Sequence, residues 1–179
     1  KEFHITELIR IKGFFEEKED NIIVIGQSMG GMIGLTVANQ NSNINKMFAI
    51  STPNHKNIDF NKADKFTLFS FNIATLKNVK NLDYNNSRYD GILPRDNNKC
   101  RPENEDKFYL LHSKKDEVVN VEHYYKNKKQ LCLPDSNTIL FDNGIEQFST
   151  TNIPIIPSHH LGVQFTEEAF DFISERLEK

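Results

Sequence analysis

Two cysteines among 179 residues are too few for a disulfide framework. Cys100 and Cys132 could pair, but two free thiols in a reducing compartment such as the cytoplasm are the simpler reading. Secretion stays open, because the first residue is Lys1 and a leader could have been removed ahead of it. No apolar run approaches the ~20 residues that span a bilayer, so no transmembrane segment is expected. Positive charge is not in excess. The 22 Lys and Arg stand against 25 Asp and Glu, a net charge of -3. Gripping a phosphate backbone takes clustered, dominant Lys and Arg, so no nucleic-acid partner is expected. Repeats and low-complexity linkers are also lacking. What is present is an ordinary globular composition, 37% hydrophobic and 26% charged, of a length that suits one domain with a real core.

The apolar residues fall into alternating strand and helix patterns. Segment 4–17 has near-helical spacing at Ile5, Leu8, Ile9, Phe14 and Phe15. Residues 21–25 form a short β-branched run that reads as a fully buried parallel strand. A helix over 29–39 follows, then strands over 46–50, 108–111 and 138–141. Thr166 is a candidate N-cap for a last helix, with Glu167 and Glu168 in its positive first turn. Ala169, Phe170, Ile173 and Leu177 are expected to form its buried stripe. Such alternation argues for a parallel sheet covered on both faces. The 55–107 stretch is far longer than an ordinary connection and carries Phe66, Phe69 and Phe71. An inserted lid or cap is expected there.

The chemically informative stretch is Gly26-Gln27-Ser28-Met29-Gly30-Gly31. Its Gly26-x-Ser28-x-Gly30 pattern stands directly after a predicted strand and before a predicted helix. So sharp a reversal strains the serine and pushes its hydroxyl out at the carboxyl edge of the sheet. Side chains two positions to either side are expected to collide, hence glycine at both. Gly31 and Gly34 are expected to bring the helix close to the sheet. The bare pattern arises by chance in roughly 2% of chains of this composition, and the strand and helix around it remove most of those. A phosphate loop is not an alternative, because neither Gly-Lys-Ser/Thr nor Gly-x-Gly-x-x-Gly is present.

Residues 22–39 resemble the strand, nucleophile elbow and following helix of the α/β-hydrolase superfamily, in the form found in lipase, esterase and lysophospholipase-like members. The superfamily orders its triad as Ser, then acid, then His. The stretch 108–119 is similar to the segment whose aspartate precedes a Val-Val or Val-Pro pair, which implies Asp116 as the acid, with Glu117 behind it. An ordinary solvated carboxylate beside Lys114 and Lys115 is the competing reading of Asp116. The run Ser158-His159-His160-Leu161-Gly162-Val163 resembles the His loop, and its register implies His160, with His159 as the alternative. Among the other histidines, His4 and His123 fall on predicted helices, His55 starts the insertion and His112 closes a strand. The N–H of Met29 is implied as an oxyanion donor. No Cys or carboxylate stands at ligand spacing near the His pair, so no metal or other cofactor is expected.

The resemblance implies an α/β-hydrolase fold: a mostly parallel sheet, helices on both faces and an inserted lid. The superfamily places several strands and a His-Gly-type loop ahead of the nucleophile. Only 27 residues precede Ser28, so N-terminal strands and a second oxyanion donor are expected to be missing from this sequence. The implied function is a serine hydrolase cleaving a carboxylic ester with an apolar or lipid-like acyl group. Thioesterase and peptidase chemistry on the same triad stay open. So does a catalytically silent binding module. Composition and motifs leave the oligomeric state undetermined.

Overall fold

The computed structural model describes residues 22–55, 93–142, 160, 163 and 166–178. Four parallel strands lie in the order β1-β2-β3-β4: Ile22–Gln27, Ile44–Ile50, Phe108–Ser113 and Thr138–Phe141. Helix α1, Met29–Gln40, crosses from β1 to β2. The short helices α2, Pro94–Asn97, and α3, Asn104–Lys107, lead into β3. Helix α4, Glu122–Leu131, connects β3 to β4, and α5, Glu167–Leu177, closes the chain.

Side chains alternate across the sheet, so each central strand feeds two cores. Met47 and Ala49 of β2, with Phe108 and Leu110 of β3, pack under Leu35 and Ala38 of α1 and Tyr124 and Leu131 of α4. The intervening Phe48, Ile50, Tyr109 and Leu111 face the other way, against Ala169 and Phe172 of α5. Phe48 stacks on Tyr109 with centroids 4.8 Å apart. The sheet is covered by helices on both faces, as the sequence pattern implied.

Three expectations need correction. First, β1 is not fully buried: Ile22 and Val24 pack on the α1 side, whereas Ile23 and Ile25 are 43% and 54% exposed. Within the described sheet β1 is an edge, and among the described residues its packing is on the α1 face. Second, the buried stripe of α5 runs through Ala169, Phe172 and Ile173, while Phe170 and Leu177 face outward. The Arg176 guanidinium takes the next turn of the stripe, 3.5 Å from the Phe172 centroid. Third, Cys100 and Cys132 are joined in a disulfide. Cys132 ends α4 at φ 56°, the left-handed turn usually given to glycine, which aims its side chain back toward the stretch between α2 and α3.

The N-cap on Thr166 forms as expected, its hydroxyl accepting from Ala169 N at 3.2 Å. The stretch 98–104 is fixed to the body. Asn39 Nδ2 of α1 donates to Asn98, and Asn104 Nδ2 donates to the Leu131 carbonyl. Residues 4–17 and 56–92 lie outside the described residues, as do His4 and His159. Among the described residues no helix is long and apolar enough to cross a membrane.

Candidate active site

Ser28 follows the last residue of β1 and caps α1 with φ 52° and ψ −119°. Its N–H is held by the Ile50 carbonyl at 2.8 Å, and its carbonyl accepts from Met32 N at 3.0 Å. The turn is therefore tied both to β2 and to the first turn of α1. A Cβ on Gly26 would lie 2.6 Å from the Gly30 carbonyl oxygen, so glycine is required there. The expected collision at Gly30 does not occur, because a Cβ there meets nothing within 4 Å. The crowded position is Gly31, whose Cβ would fall 1.9 Å from Thr52 Oγ1 and 2.8 Å from Gly26 O. Gly34 opens the same interface one turn on, where an added Cβ would run into the Met47 side chain. Met29 begins α1, and its N–H is among the four that a helix start leaves without an intrahelical partner.

Asp116 follows β3 on the same carboxyl edge of the sheet. It is 7% exposed, which removes the reading of a solvated loop carboxylate. Lys114 pairs with Asp142 instead, at 2.6 Å. The Val118 and Val119 amides turn back on Asp116 Oδ1 at 3.0 and 2.8 Å, while both valine side chains are buried. An acid followed by paired apolar residues thus builds its own amide cradle. Burial alone would raise the Asp116 carboxyl, but the charge and hydrogen bond of His160, the nearby His112 and the Val119 amide outweigh it. The carboxyl is held below the usual carboxylate range.

His160 is fully buried, and its Nδ1 lies 2.8 and 3.0 Å from the two oxygens of Asp116, 44 residues away in sequence. An ionised carboxylate only accepts, so Nδ1 carries a proton, and in the neutral form of the ring the lone pair lies on Nε2. The structure brings Asp116 and His160 together directly and sets Ser28 in a strained turn on the same sheet edge.

Two further residues support this arrangement. Gln27 Nε2 donates to the His160 carbonyl at 2.8 Å. His112, 1% exposed, donates from Nε2 to the Val119 carbonyl at 2.9 Å and lies 3.9 Å from Asp116 Oδ2. Burial pushes its pKa below the usual 6.5, so it stands neutral beside the acid. Neither role has a sequence signal beyond adjacency, because the partner of Gln27 is 133 residues away. The His55 and His123 rings lie with centroids 4.0 Å apart and planes tilted by 32°, and His123 Nδ1 accepts from Asn54 N at 2.9 Å. They order the chain after β2. No group of three or more metal-binding side chains occurs among the described residues. A cavity of about 460 Å³ lies at the opposite edge of the sheet, between the end of α1 and the start of β3.

Residues 10–144, most of the chain, match the prolyl oligopeptidase family. No curated protein matches. Among solved structures, the esterase domain of a Rhodothermus marinus protein superposes with a TM-score of 0.53 at 13% identity, over 96% of this chain and 66% of that one. An acylaminoacyl peptidase in complex with Z-Gly-Gly-Phe-chloromethyl ketone superposes with a TM-score of 0.53 at 14% identity, over 98% of this chain and 26% of that one. This chain therefore spans just under two thirds of the first and about a quarter of the second. At such identities the likeness is one of fold. The family match, the parallel sheet and the strained turn at Ser28 agree: the chain belongs to the prolyl oligopeptidase family, within the α/β-hydrolase superfamily.

Proposed function

We propose that this chain carries the catalytic centre of a serine hydrolase that works through an acyl-enzyme on Ser28. The observation behind the reading is the buried contact of His160 Nδ1 with Asp116, which leaves Nε2 as the basic nitrogen. In this scheme Nε2 takes the proton of Ser28 Oγ as the oxygen attacks the substrate carbonyl carbon. Asp116 holds the imidazolium that results. The Met29 N–H, at the positive end of α1, faces the oxyanion. His160 then gives its proton to the leaving group, and water activated in the same way releases the acid and frees Ser28.

The leading substrate is a carboxylic ester with an apolar or lipid-like acyl group. The phenylalanines carried by the 55–107 insertion and the esterase fold neighbour support it. A second reading, cleavage of short or acylated peptides, is favoured by the family match and by the acylaminoacyl peptidase neighbour. Both use the same three residues and differ only in the leaving group.

The test is intact-mass spectrometry after treatment with a fluorophosphonate, on the wild type and on Ser28→Ala. One adduct on the wild type and none on the folded variant is expected. Absence of an adduct on folded wild type would instead favour the silent binding module. Paired ester and anilide substrates sharing one acyl group then separate the two substrate readings by their relative kcat/KM.

A further inference from the structure

Gln27 stands between the obligatory Gly26 and the strained Ser28, yet its side chain does not serve the turn. Its Nε2 donates to the main-chain carbonyl of His160 at 2.8 Å. A carbonyl oxygen only accepts, so the amide must present nitrogen there. His160 is thereby held at two points: its ring by Asp116 through Nδ1, its backbone by Gln27. A ring contact by itself fixes the imidazole against the carboxylate but not the main chain of His160. The second contact ties that main chain to the residue next to Ser28. A displacement near 1 Å between reacting groups can cost about a hundredfold in rate.

We infer that Gln27 is a positioning residue that holds the backbone of His160 in register with Ser28. This rests on the triad proposed above and deepens it. The variant Gln27→Glu gives the inference a handle that packing alone would not. The carboxylate it introduces would set its lone pairs against those of the His160 carbonyl, whereas the protonated acid can donate an O–H to it.

The experiment measures the rate constant of fluorophosphonate labelling between about pH 5 and 8 for wild type, Gln27→Met and Gln27→Glu, with a melting curve for each. Met nearly conserves volume and removes the donor. Gln27→Met is expected to label roughly ten- to a hundredfold more slowly at every pH while staying folded. Gln27→Glu is expected to match that loss at pH 8 and to recover toward wild type as the pH falls toward 5. On any turned-over ester the loss should appear in kcat, with KM little changed. Labelling of Gln27→Met within threefold of wild type overturns the inference. So does a Gln27→Glu deficit that is the same at every pH, which would mark a purely structural role. Should Gln27→Met not fold, Gln27→Glu decides the matter, and failure of both to fold also overturns the inference. Wild type that does not label at Ser28 overturns the hydrolase reading itself, and this inference with it.

Discussion

Ser28 occupies a backbone region that costs a residue with a Cβ about 1–3 kcal/mol, and the surrounding contacts hold it there. The bond from Ser28 N to Ile50 O and the bond from Met32 N to Ser28 O bracket the residue on both sides. At Asp116 the opposing effects are burial, which favours the neutral acid, and three favourable neighbours, His160, His112 and the Val119 amide, which win. Replacing Asp116 by Asn keeps the shape and removes the charge. The amide can also present its nitrogen to Nδ1 and reverse the ring tautomer. Asp116→Asn is expected to stay folded and to lose about 10³–10⁴ in kcat toward an activated ester. Turnover within tenfold of wild type would move the acid role elsewhere.

At the scale of elements, the elbow is made by contact between α1 and the turn after β2. Thr52 lies against Gly31, and Met47 fills the space opposite Gly34. The two neighbouring glycines therefore differ sharply in consequence. Gly31→Ala drives a methyl group into Thr52 Oγ1 and the Gly26 carbonyl, and a loss of at least ~2 kcal/mol in unfolding free energy is expected. Gly30→Ala enters open space on an exposed helical turn, so it should be neutral or stabilise by up to ~1 kcal/mol. Urea titration of both variants checks the pair. Equal effects would contradict the packing described here. Helix α5 shows the same dependence on a partner: its face is chosen by Tyr109 and Phe48, and Phe170 is left outside.

For the molecule as a whole, the disulfide links the stretch before α3 to the end of α4 and closes a loop with a sequence separation of 32. Restricting the unfolded chain in this way is worth ~3–4 kcal/mol. The double variant Cys100→Ser, Cys132→Ser is expected to lose that amount in urea. A loss below ~1 kcal/mol would mean the bond does not form in solution. The bond also removes the free-thiol argument for a reducing compartment.

Stability toward acid follows from two buried groups. His112 has a folded pKa below 6.5, so the unfolded chain binds its proton first. Its effect is nil well above pH 6.5, and stability falls as the pH drops below that value, by at most ~1.4 kcal/mol per pH unit. Asp116 has a folded pKa below 3.8, so its contribution is complete above that value and is lost as the pH falls through the folded one. The melting temperature should therefore hold above about pH 7 and start to fall below 6.5, and His112→Gln should flatten this first decline. An unchanged slope in that variant would assign the decline to other groups.

Local order alone made most of the fold and much of the candidate site legible. Strand periodicity, β-branched runs and the elbow glycines depend on neighbours a few residues apart, so β1 to β4, α1 and the Thr166 cap could be read directly. Ser28 was legible for the same reason. Asp116 and His160 were legible through short patterns whose physical content is also local, such as the two amides that cradle Asp116. What depends on distant surfaces could not be read this way. The exposure of Ile25 depends on what covers each face of β1, and the stripe of α5 on which residues of β2 and β3 lie beneath it. The disulfide depends on the left-handed turn at Cys132. The bond from Gln27 to His160 and that from His112 to Val119 depend on residues brought together at one edge of the sheet. Periodicity within a chain carries the conformation of each element, whereas which atoms meet across 133 residues is decided only when the sheet is assembled.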